Sequence, residues 1–206
     1  MLARALVPTV IALALGACTA PRTRPVATHP PAKSSSATAA PTSGVVVLNP
    51  HNYEPQKNLI KQTLAKNSHD SLAPAETGYY MDVLQGRLKQ VADKAIVIGR
   101  QGDRITLDLS ARLAFEPGAA QINPGIREVL APLARILAEY RMTLVSVRFP
   151  SDDSGAQANH PRVTEQRALA LARYLGENGV TSKRIIVAGS ARGPAGVELQ
   201  LEPIVH

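Results

Sequence analysis

The sequence predicts an α/β sandwich, with helices packed on a mixed sheet behind an extended N-terminal tether. Three observations carry that prediction. Strand-like and helix-like segments alternate from residue 79 onward, ending in two strands in succession, which is the order of a layered α/β domain. Stretches such as Ile105-Thr106-Leu107-Asp108-Leu109 alternate apolar and polar residues, as a sheet with one solvated face requires. The Pro, Ser, Thr and Ala are concentrated in the first third, which leaves one folded unit of about 130 residues, large enough to bury an ordinary core.

In chain order, Met1 to Arg4 is a short positive segment, and Ala5 to Leu15 is an apolar run too short to span a bilayer as a helix. It reads as a secretory signal over residues 1–17, closed by Leu15-Gly16-Ala17-Cys18. Cys18 is the single Cys of the 206 residues, so in an oxidising compartment it has no intramolecular disulfide partner. An ordinary signal peptide with a chance Cys at its cleavage point is one reading of this stretch. Residues 18–74 read as a tether. Up to about Ser43 it is Pro, Ala, Ser and Thr with a few basic residues and cannot bury enough apolar surface to fold. No acidic residue precedes Glu54. Two segments interrupt it: Val45-Val46-Val47-Leu48, and a helical stretch opened by Pro55 with Leu59, Ile60, Thr63 and Leu64 on one face. Each could dock on its own domain or add a strand or helix to a partner.

The folded domain is expected over residues 75–206. A helix spans Tyr79 to Val91, and strands at 95–98 and 105–109 are joined by a turn at Gln101-Gly102-Asp103. The strongest helical pattern runs from Asn123 to Tyr140, with Asn123 as cap and Pro124 at the first position. Pro132 lies inside it and predicts a bend or a break. Thr143 to Phe149 is a strand with Leu144 on one face and Val145, Val147 and Phe149 on the other. Val163 to Asn178 is a helix ended by Gly179, followed by strands at 184–188 and 197–201.

The candidate site lies between the strand ending at Phe149 and the following helix. Asp152 and Arg167 stand fifteen positions apart, so a helix packed back on its strand turns a carboxylate and a guanidinium toward one pocket. Such a pair suits a zwitterion, the carboxylate taking an ammonium and the guanidinium a carboxylate. Taken singly, Asp152-Asp153-Ser154-Gly155 also reads as a turn, and Arg167 as a solvated helix residue.

Several function classes find little support. The net charge of +7 favours anionic partners, yet bases and acids interleave beyond residue 54, and 3% aromatics leave no stacking surface for nucleic acid. Ser151, Asp152 and His160 lack a nucleophile elbow and an oxyanion glycine pair, so no enzyme is indicated. The five histidines have no metal-ligand spacing, and Gly189-Ser190-Ala191-Arg192-Gly193 is no phosphate loop, so neither metal nor cofactor is expected.

Several motifs in family register together carry a resemblance. Tyr79-Tyr80-Met81-Asp82, Phe115-Glu116-Pro117-Gly118-Ala119-Ala120 and Val163-Thr164-Glu165-Gln166-Arg167-Ala168, with Tyr174-Leu175, Gly179-Val180 and Arg184-Ile185, resemble the OmpA-like (Pal-like) peptidoglycan-binding domain. Leu15-Gly16-Ala17-Cys18 resembles the bacterial lipobox. The resemblance implies a lipoprotein with Cys18 lipidated and, with Thr19 following it, outer-membrane retention facing the periplasm. It further implies that Asp152 and Arg167 bind the diaminopimelate of a peptidoglycan stem peptide, with Ser151 in the place of the family Thr and Asn159 near the pocket Asn. The sequence departs from the family at Phe149-Pro150, which replaces Gly-His, and after Gly193-Pro194, where an Asn-rich segment is missing. A second reading is a structural subunit of an envelope-spanning secretion or conjugation machine, with residues 45–48 and 59–64 as its docking segments.

Overall fold

A computed structural model describes residues 45–150, 161–190 and 196–206. Cys18, Ser151, Asp152, Asn159 and the expected signal and tether up to residue 44 lie outside the described residues. The elements in order are β1 (Val46–Leu48), α1 (Tyr53–Ala65), α2 (Thr77–Val91), β2 (Ile96–Gln101), β3 (Arg104–Leu109), α3 (Ala111–Ala114), α4 (Pro124–Glu139), β4 (Thr143–Pro150), α5 (Pro161–Glu177), β5 (Ile185–Ser190) and β6 (Val197–Pro203).

They form one mixed sheet in the order β1-β5-β4-β6-β3-β2. β1 and β4 run parallel to β5, while β6 is antiparallel to both β4 and β3, and β2 to β3. The expected helices and strands are present, each within a few residues of its predicted limits. Gly102 supplies a φ of 58° in the β2–β3 turn, and Gly179 a φ of 97° beyond α5, conformations that residues with a Cβ rarely adopt.

One face of the sheet carries the main core. Ile105, Leu107 and Leu109 of β3, Val145 and Val147 of β4, and Leu199 and Leu201 of β6 meet Met81, Leu84 and Leu88 of α2, the buried stripe of α4, and Ala168, Leu171, Ala172 and Leu175 of α5. α4 is amphipathic as predicted, and Asn123 caps it by accepting from the Gly125 N–H at 3.0 Å. Of the bend or break expected at Pro132, the break does not occur: α4 is one helix. The carbonyl that Pro132 leaves without a donor belongs to Glu128, an exposed position that water can serve.

The opposite face departs from expectation in two ways. It is not simply solvated, and the folded unit does not start at residue 75. β1 adds a parallel edge strand to β5, pairing Val46 with Ile186 and Leu48 with Ala188. Leu48 and Tyr53 then join Leu144, Ile186, Ala188 and Ile204 in a second buried cluster, against which Ile60 and Leu64 also pack. The connecting segment is tied down as well. The Leu72 N–H donates to the Ile204 carbonyl at 2.8 Å, and the His206 N–H to the Leu72 carbonyl at 3.2 Å. The stretch from residue 45 to 74 is therefore part of the folded unit, because it supplies the apolar cover for Leu144 and Ile186. The inward stripe of α1 differs from the predicted one too. Tyr53, Lys57, Ile60 and Leu64 face the sheet, whereas Leu59 is 63% exposed.

Arg184 holds the junction between α4 and β4. It is 4% exposed, and its Nη1 donates to the carbonyls of Thr143 at 2.6 Å and Tyr140 at 3.3 Å, while its Nη2 donates to Leu137 at 3.0 Å. It thus serves carbonyls that the end of a helix leaves without intrahelical donors. Arg184→Met keeps the aliphatic stem and removes these donors. We expect a loss of roughly 2–4 kcal/mol, read from the shift in urea midpoint, since buried carbonyls are left without partners.

Candidate functional site

The site is built at the end of the sheet where β4 leads toward α5. Residues 151–160 between them are not described, so of the predicted binding residues the structure places only Arg167. α5 is seated on β4 and β5 by its apolar face, and Ala168, the residue next to Arg167, is fully buried. That anchoring fixes the start of the Arg167 side chain and turns it toward the segment after α3.

The guanidinium is held on three sides. Its carbon sits 5.2 Å from the centre of the Phe115 ring, within cation–π range. Nε donates to the Ala119 carbonyl at 2.8 Å, and Nη2 to the Glu116 carbonyl at 3.4 Å. Burial pushes the Arg167 pKa down, but an arginine remains cationic in any such setting. The bland alternative of a solvated helix residue does not describe it.

The loop that grips it is itself closed. The Glu116 N–H donates to Gln121 at 3.0 Å and the Ala119 N–H to Glu116 at 3.1 Å. Phe115 and Ile122 form an isolated antiparallel bridge at its base, and Gly118 turns it with a φ of 69°. Phe115 is 2% exposed, so the ring under the guanidinium is part of the core. A side chain with five N–H donors in a fixed fork spends two of them here on backbone carbonyls. What this arrangement does chemically is orient a fixed cation on the second turn of α5.

These supports were missed in the sequence because two of the three are backbone carbonyls. The only available signal was Phe115-Glu116-Pro117-Gly118, a turn sequence following an apolar residue. Among the described residues, no group of three or more His, Cys, Asp or Glu is placed to hold a metal.

The comparisons with known proteins decide the family of this region. Residues 114–196 match the model of the OmpA family. This stretch is an OmpA family domain. It contains Phe115, the gripping loop and Arg167, so the candidate site lies wholly inside it. Over 119 residues the chain is 33% identical to an Escherichia coli (strain K12) protein named "Probable lipoprotein YiaD", an alignment covering 57% of this chain. The chain spans about half the length of that relative, 53%. Among solved structures, a MotB-like protein from Desulfovibrio vulgaris is similar with a TM-score of 0.52 and 20% identity, over 71% of this chain and 98% of its own. That likeness is one of fold.

Proposed function

We propose that the protein is an outer-membrane lipoprotein whose OmpA family domain holds peptidoglycan non-covalently and carries out no reaction. In this reading lipid on Cys18 fixes one end of the chain in the membrane facing the periplasm. At the other end Asp152 takes the ammonium of a stem-peptide diaminopimelate and Arg167 its carboxylate, with Ser151 and Asn159 lining the pocket. The family match and the lipoprotein name of the E. coli relative support it. The observation that carries it is the preset guanidinium of Arg167, gripped by the Ala119 and Glu116 carbonyls. A charged donor fixed before the ligand arrives binds with little ordering cost.

The reading as a subunit of an envelope machine is weakened by a specific finding. Its two docking segments, residues 45–48 and 59–64, lie on β1 and α1, which are engaged with the chain's own sheet.

Retention on purified sacculi tests the proposal. Arg167→Ala and Asp152→Ala are each expected to lower retention at least about tenfold, as loss of a charge-assisted contact implies. Equal retention by wild type and both variants would sink the pocket. Cys18→Ala is expected to move the protein from the membrane fraction to the soluble one.

A further inference from the structure

The N-terminal chain joins the sheet from the end opposite the candidate site. β1 runs parallel to β5, and β5 parallel to β4, so the three strands share one direction. β3 shares it too, because both β3 and β4 are antiparallel to β6. Beyond Leu109, the last residue of β3, the chain passes through α3 to Phe115 and the loop that grips Arg167. α4 starts from that loop and α5 follows β4, so Arg167 belongs to the end at which these strands finish. The chain before Val46 reaches β1 from the end at which they start.

β1 is held in an uncommon way for an apolar strand. Of its three residues, Val46 is 42% and Val47 52% exposed, and only Leu48 is buried. The two valines therefore gain little from burial. They favour an extended backbone, and what fixes them is the pairing of Val46, Val47 and Leu48 with Ile186, Val187 and Ala188. That partner strand is firmly seated. Ile186, Val187 and Ala188 are fully buried, and β5 lies between β1 and β4. α5 packs on both β4 and β5 through Leu171, Ala172 and Leu175, which are also fully buried. A continuous path thus joins the N-terminal chain to Arg167, from β1 through β5 and β4 to α5.

Direction decides how that path responds to a pull. The hydrogen bonds of a parallel pair are evenly spaced and cross from strand to strand. Tension between the start of β1 and the far end of the sheet acts along the strands. It loads the bonds of the β1–β5 pair together, so they must fail together. Tension that separates the start of β1 from the start of β5 acts across the strands, and the bonds open one after another. Leu48 adds to the first case. Sliding β1 back toward the N-terminal chain drags this side chain out of its cluster with Leu144, Ile186, Ala188 and Ile204.

We infer that β1 is a tension clamp: its parallel pairing with β5 resists a pull between the N-terminal chain and the Arg167 end more strongly than a pull that peels it sideways. That the two ends are tied to a membrane and to the wall rests on the anchoring reading above; the directional resistance does not.

Single-molecule stretching of the full, unlipidated chain tests it. Cys18, the single Cys, takes one handle. The second is attached through Gln166→Cys, an exposed position beside Arg167, or through Lys183→Cys, an exposed position just before β5. At one loading rate, the first rupture through Gln166→Cys is expected at a force at least about twofold higher than through Lys183→Cys, since forced unfolding reads the unfolding rate and not the equilibrium stability. Matching urea midpoints for the two handle variants exclude a difference in stability as the cause. Leu48→Ala, added to both, is expected to narrow the ratio by lowering the first force more than the second. Equal rupture forces in the two geometries, or the lower force through Gln166→Cys, overturn the inference. Sacculus retention is read separately. If Arg167→Ala keeps full retention while the force ratio persists, the anchoring reading fails and the clamp stands. If Arg167→Ala loses retention while the two forces are equal, the clamp fails and the anchoring reading stands.

Discussion

A chain shortened to residues 75–206 is expected to be less stable than the full chain by an amount on the order of 5 kcal/mol, since several large apolar side chains lose their cover. The shortened chain keeps the OmpA family match entire, so family limits alone would predict no loss. The structure predicts otherwise. Removal of β1 and α1 takes away Leu48 and Tyr53 and opens Leu144, Ile186, Ala188 and Ile204, all 5% exposed or less in the intact fold. Fully burying a Leu or Ile is worth about 1.5–3 kcal/mol, and the ordering of the removed residues offsets part of the sum. β5 would also become an edge strand with a free row of backbone groups, which invites association between copies. Urea unfolding of the two chains side by side checks this. Coincident midpoints would show that the segment before residue 75 adds nothing to the fold.

That segment also shows where sequence reading reaches its limit. The apolar stripe of α4, its Asn123 cap and the face assignments of β4 were legible because each depends on local spacing. Leu144 was placed alone on its face of β4, and the structure shows that face covered rather than solvated. That this segment docks on its own domain was one of two open readings; which face of α1 turns inward was not legible, because its central residue is Lys57. A lysine in a helical stripe reads as solvent-facing, yet Lys57 is 1% exposed. Its partner Glu202 is 145 positions away, so no local pattern connects them. At the site the same division holds. Arg167 was legible as a cation at a defined spacing from Asp152. Its grip by the Glu116 and Ala119 carbonyls was not, because every residue type carries a carbonyl. At Pro132 the local rule predicted a bend or a break, and packing along the rest of α4 keeps it one helix.

Glu202→Ala is the substitution expected to be most damaging among the charged residues, with a loss of about 3–5 kcal/mol, the usual cost of removing one partner of a buried ion pair. Glu202 is 6% exposed and holds three cations together. Lys57 Nζ lies 2.8 Å from Oε1, Lys61 Nζ 3.4 Å from Oε2, and Arg104 Nη2 2.8 Å from Oε1. Glu54 adds a contact to Lys57 at 2.7 Å, but it is largely exposed and cannot balance the cluster alone. Without Glu202, Lys57 is left charged beneath α1, with the Tyr53 ring 5.0 Å away as its remaining inward neighbour. Glu202→Met, which fills the space but leaves Lys57 with only the exposed Glu54 as counter-charge, is expected to recover little. Pairing it with Lys57→Met is expected to recover much of the loss, since an apolar pair can replace a buried ion pair. The pH dependence has a defined sign. Burial alone would raise the Glu202 pKa, but the hydrogen bond from Lys57 and the charges of Lys57, Arg104 and Lys61 outweigh it and hold the carboxyl below its ordinary 4.5. A carboxylate depressed in the folded state contributes stability that is present above the unfolded value and lost as pH falls through the folded one. The wild type should therefore lose stability to Glu202→Gln as pH drops below about 4.5, the gap between them closing toward acid. Chemical denaturation at neutral pH and at successive acid values reads that gap, and a constant difference across the range would mean that Glu202 acts through packing rather than through charge.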